Sequence, residues 1–209
     1  PWAADFQTKV LRGEAVARVL EALRSQGLRP DLIIGHPGWG ELLLVKDLFP
    51  DVPVLHQVEF VYAPQGGDSD FDPEFRDHTW RSGARIRLRR ATQLLALQDL
   101  DWGLAPTPWQ ASTVPEAFRQ RLSVIHEGID TEAIRPEGPA EIRLEKAGLR
   151  FRRGDPLVTY VARNFEPYRG FHQFMRALPA LQRRCPDVQV LLVGGEGVSY
   201  GQLPSGGGS

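Results

Sequence analysis

Tyr160-Val-Ala-Arg-Asn-Phe-Glu-Pro-Tyr-Arg-Gly-Phe171 decides how this chain is read. It closes a short apolar run, 157–162, that reads as a strand, and it opens an amphipathic run, 171–184, that reads as a helix. Pro167 and Gly170 mark a loop between them, and the loop carries Arg163 and Arg169. Strand, loop and helix in that order form the repeating unit of a parallel α/β sheet. Two arginines at the mouth of such a unit suit an anionic ligand. The helix N-terminus adds partial positive charge, and a guanidinium grips phosphate oxygens in pairs. On this stretch alone, solvated loop arginines are an equal alternative.

The same alternation extends toward the start of the chain. Phe6, Val10, Val16, Val19, Leu20 and Leu23 recur at helical spacing, and Gly27 supplies a stop. Residues 31–34 form a short apolar run of the kind buried on both faces of a parallel sheet. A turn-rich loop (35–40), a helix (41–49) and a strand (54–60) follow. Next come a Gly-, Asp- and Pro-rich loop (63–75), the longest helix (76–100) and a strand (102–105). Two short helical pieces around Trp109 and Phe118 lead to a closing strand at 122–125. The Pro-, Gly- and charge-rich stretch 135–155 places a domain boundary near Pro136. Beyond the strand at 157–162 and the helix at 171–184, a strand at 188–193 ends in Gly194-Gly-Glu-Gly197. The fold expected is α/β, a Rossmann-like doubly wound parallel sheet. The expected domains are 1–135 and 136–203, with a linker or tag at 204–209 whose Gly/Ser composition suggests engineered boundaries.

Composition narrows the function. The apolar fraction is 42 % and the charged fraction 24 %, ordinary for a globular protein, and a net charge of −1 gives no reason to expect a nucleic-acid partner. The single cysteine, Cys185, excludes an internal disulfide and a cysteine-only metal site. No apolar run reaches the length of a membrane span and the first residues carry no signal-peptide pattern, so a cytoplasmic location is expected.

Four segments together resemble one family. Ser123-Val-Ile-His-Glu-Gly-Ile-Asp-Thr-Glu-Ala-Ile-Arg-Pro136 resembles the interdomain signature V-I-x-N-G-V-D-x-x-x-F-x-P of retaining GT-B glycosyltransferases of family four, with Glu127 in place of the usual Asn. Val161-Ala-Arg-Asn-Phe-Glu-Pro-Tyr-Arg-Gly170 resembles the family's G-R-x-x-x-x-K-G donor loop, with Arg169 in place of Lys. Leu191-Leu-Val-Gly-Gly-Glu-Gly197 resembles its glycine-rich strand end. Ala105-Pro-Thr-Pro-Trp-Gln110 is similar to the segment where its N-terminal sheet ends. The resemblance implies a GT-B fold incomplete at both ends. Residues 1–135 would be the acceptor-side domain without its first strands, and 136–203 would begin the nucleotide-sugar domain and stop before its E-x(7)-E motif.

The resemblance also assigns roles. Arg163 and Arg169 would hold the donor diphosphate and stabilise the charge that grows on the leaving phosphate. Gly170, Gly194, Gly195 and Gly197 would belong to the donor site, the last three either by letting backbone approach the donor or simply by turning the chain. His36, just past a strand end, would contact the transferred sugar or the acceptor, or merely cap its turn; Glu59 and Glu127 would lie on the acceptor side. His56 reads as structural. The acidic segment 66–72 lacks calcium-loop spacing, and neither metal nor cofactor is expected beyond the nucleotide-sugar substrate. Arg81, Arg85, Arg87, Arg89 and Arg90 spread around a helix as a solvated face, with a patch for an acidic or lipid-linked acceptor as the alternative. Expected partners are a nucleotide sugar and a saccharide or lipid-linked acceptor, with peripheral membrane contact and a homodimer among the expectations. The implied activity is transfer of a sugar to a hydroxyl with retention, the leaving phosphate taking the acceptor's proton. The alternative is a non-catalytic Rossmann-like binding or assembly module, or an engineered fragment. An oxidoreductase is disfavoured, since no G-x-G-x-x-G follows a first strand.

Overall fold

A computed structural model describes residues 2–77 and 79–199, so the expected linker at 204–209 lies outside the described residues. The chain divides into two compact units, Pro1–Ile129 and Asp130–Ser209.

In the first unit four short strands pair in parallel in the order in which they occur: β1 (Ile33–Gly35), β2 (Val54–Gln57), β3 (Trp102–Ala105) and β4 (Leu122–Val124). Parallel neighbours need crossovers, supplied by α2 (Val45–Leu48), α3 (Trp80–Gln98) and the short pair α4 (Pro108–Thr113) and α5 (Glu116–Arg119). The preceding helix α1 (Ala4–Ser25) packs on α2 and α3. The described strands thus form a four-stranded parallel sheet of the expected α/β class. Val58, Val61, Leu97, Leu100 and Val114 form its main buried cluster, with Phe118 and Leu122 against them. α3 and α4 start where threonine hydroxyls cap them, Thr79 accepting from the Ser82 N–H and Thr107 from the Gln110 N–H.

Several expectations about this unit need correction. The apolar spacing of α1 marks its buried face only in part: Phe6, Val16 and Leu20 are half-buried, Leu20 against Leu42, Val45 and Val54. Lys9 and Gly13 are buried, while Val10, Val19 and Leu23 are exposed. Backbone contact decides the orientation: a Cβ on Gly13 would lie 2.7 Å from the Gly40 carbonyl oxygen, and one on Gly40 2.2 Å from that of Lys9. β1 is an edge strand and not buried on both faces, and Ile34 is 63 % exposed. The helix expected at 41–49 shrinks to Val45–Leu48. The strand expected at 54–60 stops at Gln57. Beyond it the backbone bonds elsewhere. The Val58 N–H still reaches the Leu104 carbonyl, but that of Val61 donates to Thr113 Oγ1 and that of Tyr62 to Gln93 Oε1, while the Phe60 carbonyl accepts from Gln93 Nε2.

The second unit opens with an antiparallel pair, β5 (Glu141–Leu144) and β6 (Leu149–Arg152), where only an irregular boundary stretch was expected. Period-two alternation in Leu149-Arg-Phe-Arg152 is the signal, masked by charge. Phe151 is buried opposite Ile142, and Glu141 gathers Arg143, Arg150 and Arg152 around one carboxylate. Those arginines, Arg143 foremost, hold Glu141 below the usual carboxylate range. The parallel pair β7 (Leu157–Asn164) and β8 (Gln189–Gly195) follows, joined through α6 (Phe171–Arg184). Tyr160 of β7 meets Phe171 and Phe174 of α6 at 5.4 and 5.0 Å between ring centroids, and Phe165 stacks on Phe171 at 4.9 Å.

Candidate functional site

Ligands of open parallel sheets collect at the C-terminal ends of the strands. His36 follows β1 there. Its Nδ1 accepts the Gly38 N–H at 3.0 Å, so the proton of the neutral ring sits on Nε2. Nε2 points toward Glu59 Oε2 at 3.5 Å, and the ring lies against Trp39 with centroids 4.7 Å apart. At that distance the contact to Glu59 is long for a hydrogen bond, and Nε2 makes none within the described residues. Burial lowers the His36 pKa and Glu59 opposes the shift, so the ring is neutral and offers a donor near neutral pH. The structure therefore brings His36 and Glu59 together, although strand alternation cannot be what aims Glu59, because β2 has already ended. Its position follows from buried Val58 and Val61 and from the grip of buried Gln93 on the 60–62 backbone. Glu127 is not part of that pair. Its Oε1 accepts from Gln57 Nε2 at 3.0 Å, and the neighbouring His126 Nδ1 accepts the Gly128 N–H at 3.0 Å.

Of the five helix arginines, Arg89 is committed. It lies 4.4 Å from the Tyr62 ring and donates to the Tyr62 hydroxyl at 3.0 Å. Arg81 lies over Trp80 at 5.2 Å.

In the second unit Arg163 belongs to β7 and not to the following loop. Pairing with β8 continues as far as Asn164, opposite Gly195, after an irregularity beyond Val161. Alternation places Arg163 on the exposed face with Thr159 and Val161, opposite Tyr160, Ala162 and Asn164. Its side chain makes no hydrogen bond or ion pair among the described residues. Arg169 ends the 3-10 turn Pro167–Arg169 and is exposed over Tyr168 at 5.7 Å, while its carbonyl accepts from the Tyr160 hydroxyl at 3.0 Å. Gly170 takes φ 74°, a left-handed value that explains the glycine there, and opens α6 without a side-chain cap. Gly194 and Gly195 lie in β8, and Gly197 in the turn after it. A Cβ on Gly194 would lie 2.7 Å from Phe165, and one on Gly195 2.7 Å from Asn164 Oδ1. Close packing within the unit thus already requires glycine at 194 and 195.

Two residues were not singled out from the sequence. Asn164 and Glu166 flank Phe165 and bond across to 197–199. The visible signal was an amide and a carboxylate interleaved with aromatics beside the arginines. Among the described residues no group of three or more His, Cys, Asp or Glu side chains is placed to hold a metal ion, and no described helix is long and apolar enough to cross a membrane.

Residues 1–134 match the model of a family described as glycosyl transferase family 4 group. Over 115 residues the chain is 35 % identical to the GDP-mannose-dependent alpha-(1-6)-phosphatidylinositol monomannoside mannosyltransferase of Mycolicibacterium smegmatis, an alignment covering 54 % of this chain and 28 % of that protein. The matched stretch thus spans less than a third of the length of that relative.

Proposed function

We propose, since this chain belongs to the glycosyl transferase family 4 group, that it acts in the transfer of a sugar from a nucleoside-diphosphate donor to an acceptor hydroxyl with retention of configuration. The observation that carries this reading is the convergence of His36 and Glu59 at the C-terminal ends of β1 and β2, inside the matched residues. Nε2–H of His36 donates to a sugar hydroxyl. Glu59, 52 % exposed at its side chain, lies 3.5 Å from the same ring nitrogen and accepts from ligand hydroxyls, and Trp39 fixes the ring plane. Glu127 serves the acceptor side.

Arg163 and Arg169 supply the donor half of the chemistry. As the bond from the anomeric carbon to the phosphate oxygen lengthens, negative charge moves onto the diphosphate, and fixed guanidinium groups lower that barrier. The first turn of α6, which Gly170 opens, brings backbone N–H groups to the same place, and the glycines at 194, 195 and 197 leave those positions of the neighbouring segment free of side chains. The departing phosphate oxygen takes the acceptor's proton, which removes the need for a protein nucleophile. The name of the mycolicibacterial relative makes GDP-mannose the first donor to test and a lipid-linked mannoside the first acceptor.

Release of nucleoside diphosphate from GDP-mannose and from UDP-glucose, with and without acceptor, tests the reading. His36→Ala should lower kcat by about a hundredfold with little change in donor KM, the scale of losing one aimed donor at a reacting centre. Equal turnover in the variant would remove His36 from the site.

A further inference from the structure

We propose that Asn164 and Glu166 are positioning residues that lock the glycine-rich segment 195–199 onto the arginine-bearing segment 165–170, making the two one preorganised seat for a nucleoside diphosphate. The ligand class rests on the function proposed above; the lock rests on geometry.

The Asn164 amide is engaged at both ends. Its Oδ1 accepts the Gly197 N–H at 3.1 Å, and its Nδ2 donates to Ser199 Oγ at 2.6 Å. Glu166 is only 3 % exposed, and its Oε2 accepts the Ser199 N–H at 3.1 Å. Two side chains, one at the end of β7 and one in 165–170, thus bind three groups of 195–199. Glu166 also shapes its own segment. Its N–H donates to the Asn164 carbonyl at 3.1 Å and its carbonyl accepts the Arg169 N–H at 3.0 Å. One residue therefore sets the turn that presents Arg169 and holds the far segment as well. The glycines give the lock room. A Cβ on Gly195 would come within 2.7 Å of Asn164 Oδ1, and one on Gly197 within 3.1 Å.

The chemistry fits an anion seat. A buried carboxylate is costly unless it is bonded, and Oε2 of Glu166 spends its bond on the Ser199 backbone. Ordering two loops before the ligand arrives removes that cost from binding. The two arginines and the first turn of α6 are then already in place when the diphosphate docks.

Calorimetry with GDP, read beside amide hydrogen exchange of 165–170 and 195–199, tests the inference on the unaltered protein, Asn164→Ala, Glu166→Ala and Glu166→Gln. The unaltered protein should bind GDP. Asn164→Ala and Glu166→Ala should weaken binding about tenfold or more and speed exchange in both segments together while α6 stays protected. Glu166→Gln, which keeps an acceptor for the Ser199 N–H, should restore most of the affinity. Gly197→Ala, which crowds Asn164 from the other side, should reproduce the loss without removing either side chain. Unchanged GDP affinity in the alanine variants, with binding intact in the unaltered protein, would overturn the inference and leave the donor assignment standing. No binding of GDP or UDP by the unaltered protein would overturn both.

Discussion

His56 shows how one side chain ties sheet geometry to pH. It is fully buried in β2, in register with Gly35 on one side and Gly103 on the other, and neither ring nitrogen has a hydrogen-bond partner among the described residues. Burial drives its pKa down to about 4; Asp101 pulls the other way, and Arg121 reinforces the fall. A histidine whose folded pKa lies below its ordinary 6.5 lends stability that is complete above that value. As pH drops from about 6.5 toward 4 that contribution is lost, about 3 kcal/mol over the full span. Urea unfolding across this window should therefore show stability falling with acid. His56→Leu should flatten much of that limb, leaving the smaller part that His36, also lowered by burial, contributes. A variant as acid-sensitive as the original would contradict the assignment. At this scale the sequence is uneven. The placement of His36 at a strand end was readable because a strand followed by Gly35-His-Pro-Gly38 has few other readings. The Nε2 donor was not, because it depends on a Gly38 N–H whose direction only the folded turn defines.

Among the elements, the segment after β2 matters most. Its residues alternate as a strand would, but side chains from α3 and α4 capture its backbone. Such capture depends on partners 31 to 52 residues away in sequence, which no local pattern contains. Gln93 is the centre of it, buried at 3 % exposure, donating to Phe60 and accepting from Tyr62. Gln93→Ala would leave a half-buried carbonyl and a half-buried N–H without their partner, and it should cost about 1–3 kcal/mol in urea unfolding. The same change should lower turnover by releasing Glu59, and full stability in that variant would show that water replaces the amide without loss. The β5–β6 hairpin is hidden in the sequence for a different reason. Its four-residue strands carry arginines, and Glu141, which already meets Arg143 on its own strand, gathers Arg150 and Arg152 only once the strands pair. By contrast α6 begins and ends where its amphipathic pattern does, since an aromatic face at helical spacing is a local property.

For the whole molecule, the parallel sheet and family membership were both legible because strand–helix alternation and ordered motifs are spread over the chain. The family match covers residues 1–134, the part that holds His36, Glu59 and Glu127. The proposed donor half draws on the second unit, where Arg163 projects from a strand face without an ion pair among the described residues and Arg169 stands at the entrance to α6. Isothermal titration of GDP into the unaltered protein, Arg163→Ala and Arg169→Ala tests this most directly. Each substitution should weaken binding by about tenfold or more, the value of a charge-assisted bond to phosphate, and more salt should narrow the difference. Equal affinity in all three proteins would show that neither guanidinium holds the diphosphate.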